Sequence, residues 1–402
     1  MKIIDRPHYL DKIRHYLNRD TIIILTGQRR VGKSYLLRSM RDKLETENGN
    51  NIIFIDKEKK DFDHILSFRE LNDYIDSKLQ RESINYILID EIQDIKDFER
   101  TLRNYYEENN IEIIITGSNS KMLSSELSTI IGGRYKEIYV QSLSYVEFLN
   151  FHNLKNNDDS LLKYLRYGGL PGLTRTGLNE DDVLEYQNDV LSTVLLKDII
   201  MRHNIRHVNF LQTLLKYLAD NDGKLISATN ISRYLNSNGN SVSTGMVIDY
   251  MSYFVESFIL RTVERYDIHG KKLFENNKKY YFQDIGMRNS LVSGVRSFDI
   301  EKVVENAVYN HLILLGYNVT VGQLRGKEID FVANKPGSSP VYIQAAYIIA
   351  TEETYKREFG NLKAISDNYP KYVISMTPLM DETNDDGIRH ISLRHFLSSK
   401  FL

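Results

Sequence analysis

The sequence predicts an α/β protein whose N-terminal part is built on a parallel sheet. Residues 21–25 form a short β-branched run of the kind that is buried in such sheets. Three further apolar runs, 51–56, 86–91 and 111–120, each end in acidic or small polar residues. At 402 residues the chain is too long for one ordinary core, so several domains are expected.

The composition narrows the class of protein. The formal net charge is −2, so no overall basic field indicates a nucleic-acid binder, although local basic patches remain compatible with this charge. The lack of cysteine excludes disulfides, thiolate zinc sites and a cysteine nucleophile, and is typical of a reducing, cytoplasmic setting. The sequence has no secretory signal pattern and no apolar stretch of about 18 residues, so no membrane span is predicted.

Residues 27–34, GQRRVGKS, match the pattern G-x-x-x-x-G-K-[ST] without a mismatch, directly after the first predicted strand. Gly27 and Gly32 allow the backbone to approach an anion closely. Lys33 is placed to reach the β and γ phosphates, and the Ser34 hydroxyl to bind Mg²⁺. The predicted nucleotide-binding residues are Gly27, Gln28, Arg29, Arg30, Val31, Gly32, Lys33, Ser34 and Tyr35.

The run 86–91 ends in two carboxylates that complement this loop. Asp90 is predicted to hold Mg²⁺, usually through water, and Glu91 to polarise the attacking water. Thr116, Ser118 and Asn119, which follow the next apolar run, are candidates for orienting that water, and Asn119 is favoured. The sequence therefore predicts a Mg²⁺-dependent nucleoside triphosphatase.

Arginines supply further candidates for contacting the phosphates. Arg134 lies in the glycine-flanked turn IGGRY, and we predict that it acts as a finger on the γ-phosphate, in cis or from a neighbouring subunit. Arg29 and Arg30, inside the loop, are alternatives for phosphate or inter-subunit contacts. The sequence does not decide between cis and trans action, and it leaves a homo-oligomer open.

Four segments, GQRRVGKS, ILIDEIQ, IITGSNSKMLSSELSTIIGGRYKEI and YLRYGGLPGL, resemble the archaeal-type P-loop ATPase family, which is also frequent in bacteria and belongs to the AAA+/STAND-like group. The resemblance covers essentially the whole chain. It implies that the nucleotide is ATP and that residues 141–206 form a helical lid behind it. It also implies a C-terminal domain of unknown function with a degenerate nuclease-like fold.

Residues 207–290 are predicted to form three helices followed by a β-hairpin, the order of a winged helix. The third helix would be the recognition element, and the hairpin would bring His269, Lys271 and Lys272 near a phosphate backbone. Because the third helix is not strongly basic, DNA binding and a role in packing or protein contacts are left equally open.

Residues 296–402 place Glu305 on a helix, Asp330 on a strand and Gln344 on a later strand, an order that resembles the PD-(D/E)xK nuclease fold. Working members hold Mg²⁺ with acidic residues and use a lysine to assist the attacking water. Here Ala346 occupies the lysine position, and Gln344 is a neutral amide. We therefore expect a degenerate domain that binds DNA or protein rather than an active nuclease.

The predicted architecture is a P-loop ATPase core (1–140), a helical lid (141–206), a winged helix (207–290) and a nuclease-like α/β domain (296–402). The predicted function is Mg²⁺-dependent ATP hydrolysis that moves the C-terminal domains and acts on DNA, in genome maintenance or in a mobile-element or defence role. The alternative is an ATP-binding regulatory switch with slow hydrolysis and a protein partner. An ATP-gated nuclease is a minor alternative.

Overall fold

The computed structural model describes residues 4–47, 49–119, 132–237, 242–292, 299–378 and 382–400, without the side chains of 274–276. The chain divides into two compact units. The first unit comprises Met1–Gln141 with Glu256–Phe258, and the second comprises Ser142–Val255 with Ile259–Leu402. Each unit is built around its own sheet.

The sheet of the first unit has five parallel strands in the order β2-β3-β4-β1-β5. This arrangement confirms the predicted α/β core with a P-loop topology. Its strands are β1 Ile22–Thr26, β2 Asn50–Asp56, β3 Ile84–Asp90, β4 Ile111–Gly117 and β5 Tyr135–Tyr139, and its helices are α1 Pro7–Tyr16, α2 Lys33–Glu45, α3 Phe68–Asp76 and α4 Glu99–Tyr105.

Apolar side chains on both faces bury the centre of this sheet. All five residues of β1 are buried, and so are the last six of β3. Parallel strands covered by helices on both faces need such continuous apolar runs, which explains why the sequence pattern predicted them. The carboxyl ends of the strands therefore meet at one edge, where Asp56 of β2 lies beside Asp90 of β3.

The second unit begins with a mainly helical region, as the sequence predicts for 141–206. An α-helix at Glu180–Thr193 continues through a π-helical segment, Val194–Ile200, into Met201–His203. Within the described ranges, none of the helices combines the length and the apolar character that crossing a bilayer requires. The helices are α5 Tyr145–His152, α6 Asp158–Tyr167, α7 Glu180–Thr193, α8 Met201–His203, α9 Val208–Asp220, α10 Ala228–Ser237, α11 Thr244–Glu256, α12 Ile285–Leu291, α13 Ile300–Leu314, α14 Glu352–Lys363 and α15 Leu393–Ser398.

One nine-stranded sheet runs through the second unit, in the order β13-β14-β12-β11-β10-β9-β7-β8-β6. The β7–β8 hairpin belongs to the predicted winged helix, and β9 to β14 belong to the predicted nuclease-like domain. Because β7 pairs with β9 in parallel, these two predicted domains share a sheet. The strands are β6 Leu225–Ile226, β7 Leu260–Asp267, β8 Lys272–Phe282, β9 Asn318–Leu324, β10 Lys327–Asn334, β11 Val341–Ala346, β12 Lys371–Ser375, β13 Glu382–Asp385 and β14 Ile388–Ser392.

A glycine lies at this junction. Gly322 of β9 pairs with Tyr266 of β7 on one side and with Ile329 of β10 on the other. A Cβ atom at this position would lie 2.8 Å from Val332 Cγ2 and 2.9 Å from Ile329 Cβ. Side chains of β10 thus fill the space that a larger residue would need.

We predict that Gly322→Ala lowers the free energy of unfolding by about 1–3 kcal/mol, because overpacking must displace Ile329 or Val332. The measurement is denaturant unfolding followed by circular dichroism. Gly360→Ala is the matched control, because Gly360 lies within α14 and a Cβ atom there would meet nothing within 4 Å. The control should gain about 0.5–1 kcal/mol. Equal responses of the two variants would contradict the close packing at Gly322.

Candidate functional site

The phosphate loop joins β1 to α2 at the carboxyl edge of the five-stranded sheet. Gly27 has a φ of 141°, and a Cβ atom there would lie 2.2 Å from the backbone oxygen of Val140. Gly32, with a φ of 99°, is the N-cap residue of α2. Both glycines are therefore required by the backbone path, the first also by the close approach of Val140, the residue directly after β5.

Lys33 is buried inside the loop that it follows. Its Nζ donates hydrogen bonds to the backbone oxygens of Gly27 at 2.9 Å and Gln28 at 3.0 Å. The ammonium thus lies at the N-terminal end of α2, where backbone N–H groups and the helix dipole also favour an anion. The site is prepared for a group with several negative oxygens, such as a phosphate chain.

Thr116 of β4 organises the two carboxylates that end β3. Its hydroxyl donates to Asp90 Oδ1 at 2.5 Å and accepts a hydrogen bond from the backbone N–H of Glu91 at 2.9 Å. Glu91 has a φ of 52°, in the left-handed region, so the chain turns sharply directly after the strand. This turn separates the directions of two neighbouring side chains.

The pKa values of the two carboxyls move in opposite directions. Burial raises the pKa of Asp90 to about 6; hydrogen bonds from Thr116 and Ser34 oppose this shift, and the charges of Glu91 and Asp56 add to it. Burial also acts to raise the pKa of Glu91. However, the charges of Lys33 and Arg29 and hydrogen bonds from Gln93 and Ser118 outweigh burial, so the pKa of Glu91 lies below its ordinary value. Glu91 is thus held ionised.

The residues around Asp90 fit a magnesium ion. Asp90 Oδ2 is buried and makes no hydrogen bond of ordinary geometry to any described residue. A carboxylate and the nearby Ser34 hydroxyl are hard oxygen ligands of the kind that Mg²⁺ prefers. In the described part of the chain, three or more acidic or histidine side chains nowhere come together as a complete metal site. A magnesium ion beside a nucleotide does not need such a group, because one or two protein oxygens, the phosphates and water complete its coordination.

The other predicted loop residues differ in exposure. Gln28 and Val31 are buried, whereas Arg30 and Tyr35 are exposed, and Arg30 adopts a φ of 70°. Arg29 is largely buried, and its Nη1 lies 3.9 Å from Glu58 Oε1. Of these side chains, Arg29 is therefore the one whose charge reaches Glu91.

Asn119 is buried two residues after β4, the neighbour of the strand that ends at Asp90. Asn119 therefore lies at the carboxyl edge of the sheet, where the sequence pattern predicts it. The role of Asn119 in orienting water stays a prediction.

Arg6 is a contributor that the sequence did not indicate. This buried side chain precedes α1, and its Nη1 donates to the backbone oxygens of Val31 and Gln141, both at 3.0 Å. Its guanidinium also lies 4.5 Å from the centre of the Tyr9 ring. Arg6 thus ties the phosphate loop to the end of the first unit. An arginine before a proline usually looks like a surface residue, so only the tertiary contact reveals this role.

Arg134 lies at the edge of the five-stranded sheet opposite the phosphate loop of the same chain. It precedes β5, and its backbone oxygen accepts a hydrogen bond from Ile22, the first residue of β1, at 3.1 Å. The loop follows Thr26, at the other end of that strand, about 13 Å away at the usual strand rise. This geometry favours a trans role over a cis role. The exposed Arg134 lies over the Tyr106 ring, and a trans role stays a prediction.

The three predicted residues of the nuclease-like site come close together in the second unit. Gln344 Oε1 accepts a hydrogen bond from the backbone N–H of Asp330 at 2.7 Å. Glu305 and Asp330 are near enough for the charge of Glu305 to raise the pKa of Asp330, in addition to the larger effect of burial. Ala346, at the predicted lysine position, is buried. A lysine from another strand, Lys279, contacts Glu305.

Two family models match the chain. A model described as an AAA domain matches residues 19–149, and one described as a domain of unknown function (DUF8612) matches residues 158–298. An uncharacterized protein of Haemophilus influenzae is 32% identical over 399 residues, 97% of each chain. An uncharacterized protein of Methanocaldococcus jannaschii is 26% identical and covers 86% of this chain and 79% of its own.

Among solved structures, Aeropyrum pernix Orc1 in complex with DNA is 12% identical and covers 73% of this chain and 94% of its own, with a TM-score of 0.34. AMPPCP-bound DnaA from Aquifex aeolicus is 15% identical and covers 63% and 90%, with a TM-score of 0.32. At these scores neither structure supports an argument about this chain. The AAA match, the parallel sheet with its phosphate loop and the similarity to the Haemophilus influenzae protein over 97% of each chain show that the chain belongs to the P-loop AAA+ ATPase family, together with that protein.

Proposed function

We propose that the protein binds ATP with Mg²⁺ and hydrolyses it, and that this cycle drives movement of the C-terminal domains. The observation that carries the proposal is Glu91, a buried carboxylate held ionised beside Lys33 and next to a predicted magnesium ligand. A structural carboxylate in this place would need neither the left-handed turn nor the two nearby cations. These features suit a group that accepts a hydrogen bond from a reacting water.

In the proposed mechanism the loop N–H groups and the Lys33 ammonium hold the phosphate chain. Ser34 and Asp90 would hold Mg²⁺, which supplies charge neutralisation at the β and γ oxygens when bound. Glu91 orients and polarises the attacking water, and Asn119 is proposed to hold that water in line. The Thr116 hydroxyl holds the Asp90 carboxylate and the Glu91 backbone in fixed positions during this step.

DNA is the proposed target of the movement, through the β7–β8 hairpin. Residues 208–282 follow the order helix, short strand, two helices and hairpin, which supports a winged helix. His269, Lys271 and Lys272 are exposed around the hairpin turn. The α11 sequence contains no lysine or arginine, and its exposed face includes Asp249. We therefore propose contacts to the phosphate backbone rather than reading of bases by α11.

The same helix favours a second candidate function, a nucleotide-dependent switch that binds a protein. Ile248 on α11 is 54% exposed, and Ser252 is exposed one turn further along the helix. A surface that lacks positive charge and exposes an apolar side chain suits a protein contact better than a phosphate contact. DNA stimulation of turnover separates the two functions.

We predict that Glu91→Gln lowers the rate of ATP hydrolysis by at least about 100-fold while nucleotide binding persists, because the amide cannot accept the proton of the water. Lys33→Ala should lose nucleotide binding itself. The measurements are steady-state phosphate release and binding of a fluorescent ATP analogue. Glu82→Gln, an exposed position in the first unit, is the control and should behave as the parent protein. Full activity of Glu91→Gln would contradict the assignment.

We predict that double-stranded DNA raises ATP turnover, and that the double substitution of Lys271 and Lys272 by alanine removes this stimulation without changing the basal rate. Loss of two phosphate contacts should also weaken the salt dependence of DNA binding. The slope of the logarithm of the binding constant against the logarithm of the salt concentration should fall in magnitude by about 2. Lys216→Ala and Lys224→Ala form a control pair in the same region. Tight nucleotide binding with turnover that DNA does not alter would favour the protein-binding switch.

We predict that Arg134 acts in trans. Arg134→Ala should lower turnover by about 100-fold or more, because a finger arginine stabilises the charge on the γ-phosphate. Mixing inactive Arg134→Ala with inactive Lys33→Ala should restore activity, since one variant supplies the loop and the other the arginine. Arg103→Ala, another exposed arginine of the first unit, is the control. An unaffected Arg134→Ala, or a mixture that stays inactive, would show that Arg134 has no such role.

A further inference from the structure

The acidic cluster around Glu305 already contains a cation. Lys279 lies on β8, and its side chain is only 3% exposed. Its Nζ lies 2.9 Å from Glu305 Oε1 on α13 and 2.7 Å from Glu328 Oε1 on β10. A single ammonium therefore links the hairpin strand to two elements that come later in the chain.

Several neighbouring polar groups also make hydrogen bonds within the cluster. Tyr281, two residues after Lys279, donates a hydrogen bond to Glu305 Oε1 at 2.5 Å. Asp330 Oδ2 accepts from the backbone N–H of Ala345 at 2.8 Å. Glu358 accepts from Gln344 Nε2 at 3.0 Å and from Arg357 Nε at 2.6 Å. Glu305, Asp330 and Glu358 thus each accept at least one hydrogen bond from the chain itself.

These residues do not fit the magnesium ion that the nuclease-like order of Glu305, Asp330 and Gln344 implies. A metal site needs ionised carboxylates that converge on an open position. Here the ammonium lies between Glu305 and Glu328, and Gln344 makes two hydrogen bonds with its neighbours. Among the described residues, no three acidic or histidine side chains are arranged to hold a metal.

The electrostatics agree with this geometry. Burial acts to lower the pKa of Lys279, but the charges of Glu305, Asp330 and Glu328 outweigh burial, so the pKa is raised and the ammonium persists. Burial and then the charge of Glu305 raise the pKa of Asp330 well above its ordinary value, against the charge of Lys279.

We propose that the Lys279 ammonium is the resident cation of this cluster, in the place of a metal ion, and that it locks the β7–β8 hairpin to α13 and β10. The proposal does not depend on ATP hydrolysis. It assigns a role that needs no metal to Glu305, Asp330 and Gln344, whose order along the chain resembles that of a nuclease site. Lys271 and Lys272 lie at the turn of the same hairpin, so the lock also fixes the strand that carries them.

The test is Lys279→Met in the full-length, nucleotide-free protein. The variant keeps the length of the side chain but leaves Glu305 and Glu328 without their cation. In EDTA its thermal midpoint should fall by roughly 10 °C, as expected when one partner of a buried ion pair is removed. Millimolar Mn²⁺ should restore part of this loss. Electron paramagnetic resonance should find one more bound Mn²⁺ per chain than in the parent protein, and Glu305→Gln in the same variant should abolish it.

Lys278→Met is the matched control, because Lys278 is the adjacent lysine and pairs with Glu264 at the surface at 2.9 Å. Its midpoint and its Mn²⁺ response should equal those of the parent protein. The proposal is overturned if the parent protein binds Mn²⁺ in a way that Glu305→Gln removes, or if it cleaves DNA with Mn²⁺. It is also overturned if Lys279→Met keeps the parent midpoint, or if the folded variant gains no Mn²⁺. Should Lys279→Met fail to fold, Mn²⁺ binding to the parent protein and to Glu305→Gln still decides.

Discussion

The parallel alignment of β1, β3 and β4 is the constraint on which the nucleotide site depends. Parallel strands bring their carboxyl ends to one edge of the sheet. This edge therefore brings together the phosphate loop after β1, the carboxylates at the end of β3 and Thr116 of β4. The Thr116 hydroxyl then joins β4 to both Asp90 and the backbone of Glu91. The same alignment places Arg134 at the opposite edge of the sheet, away from the phosphate loop of its own chain.

Two adjacent carboxyls acquire different properties because their surroundings differ. Asp90 is buried next to other acidic groups, so a proton or a cation must compensate its charge. Glu91 turns away in a left-handed conformation toward Lys33 and Arg29, and these cations keep it ionised despite burial. The general principle is that burial raises a carboxyl pKa unless a nearby positive charge outweighs it. Here this principle separates a group suited to holding a metal from a group suited to accepting a hydrogen bond from water.

The second unit uses a cation from its own chain where a related arrangement would use a metal. The parallel pairing of β7 with β9 brings the hairpin beside the C-terminal strands, and this pairing is what places Lys279 against Glu305 and Glu328. Gly322 allows that pairing by leaving room for side chains of β10. The two features support each other, since the sheet positions the lysine and the ion pairs hold the hairpin strand. Desolvation offsets much of the attraction in a buried ion pair, but removing one partner leaves a buried charge without compensation and is strongly destabilising.

The sequence by itself determined the features that depend on local pattern. These are the apolar strands, the loop at 27–34, the acidic pair Asp90 and Glu91, and the alanine at position 346, where the predicted nuclease-like order would have a lysine. Each is encoded in a few consecutive residues, because a strand, a tight turn and a helix start have local rules. Only the tertiary structure decided which edge Arg134 occupies, that Arg6 supports the loop, that the two later predicted domains share a sheet, and that Lys279 enters the acidic cluster. These facts depend on pairings between residues far apart in the chain, which no local spacing specifies.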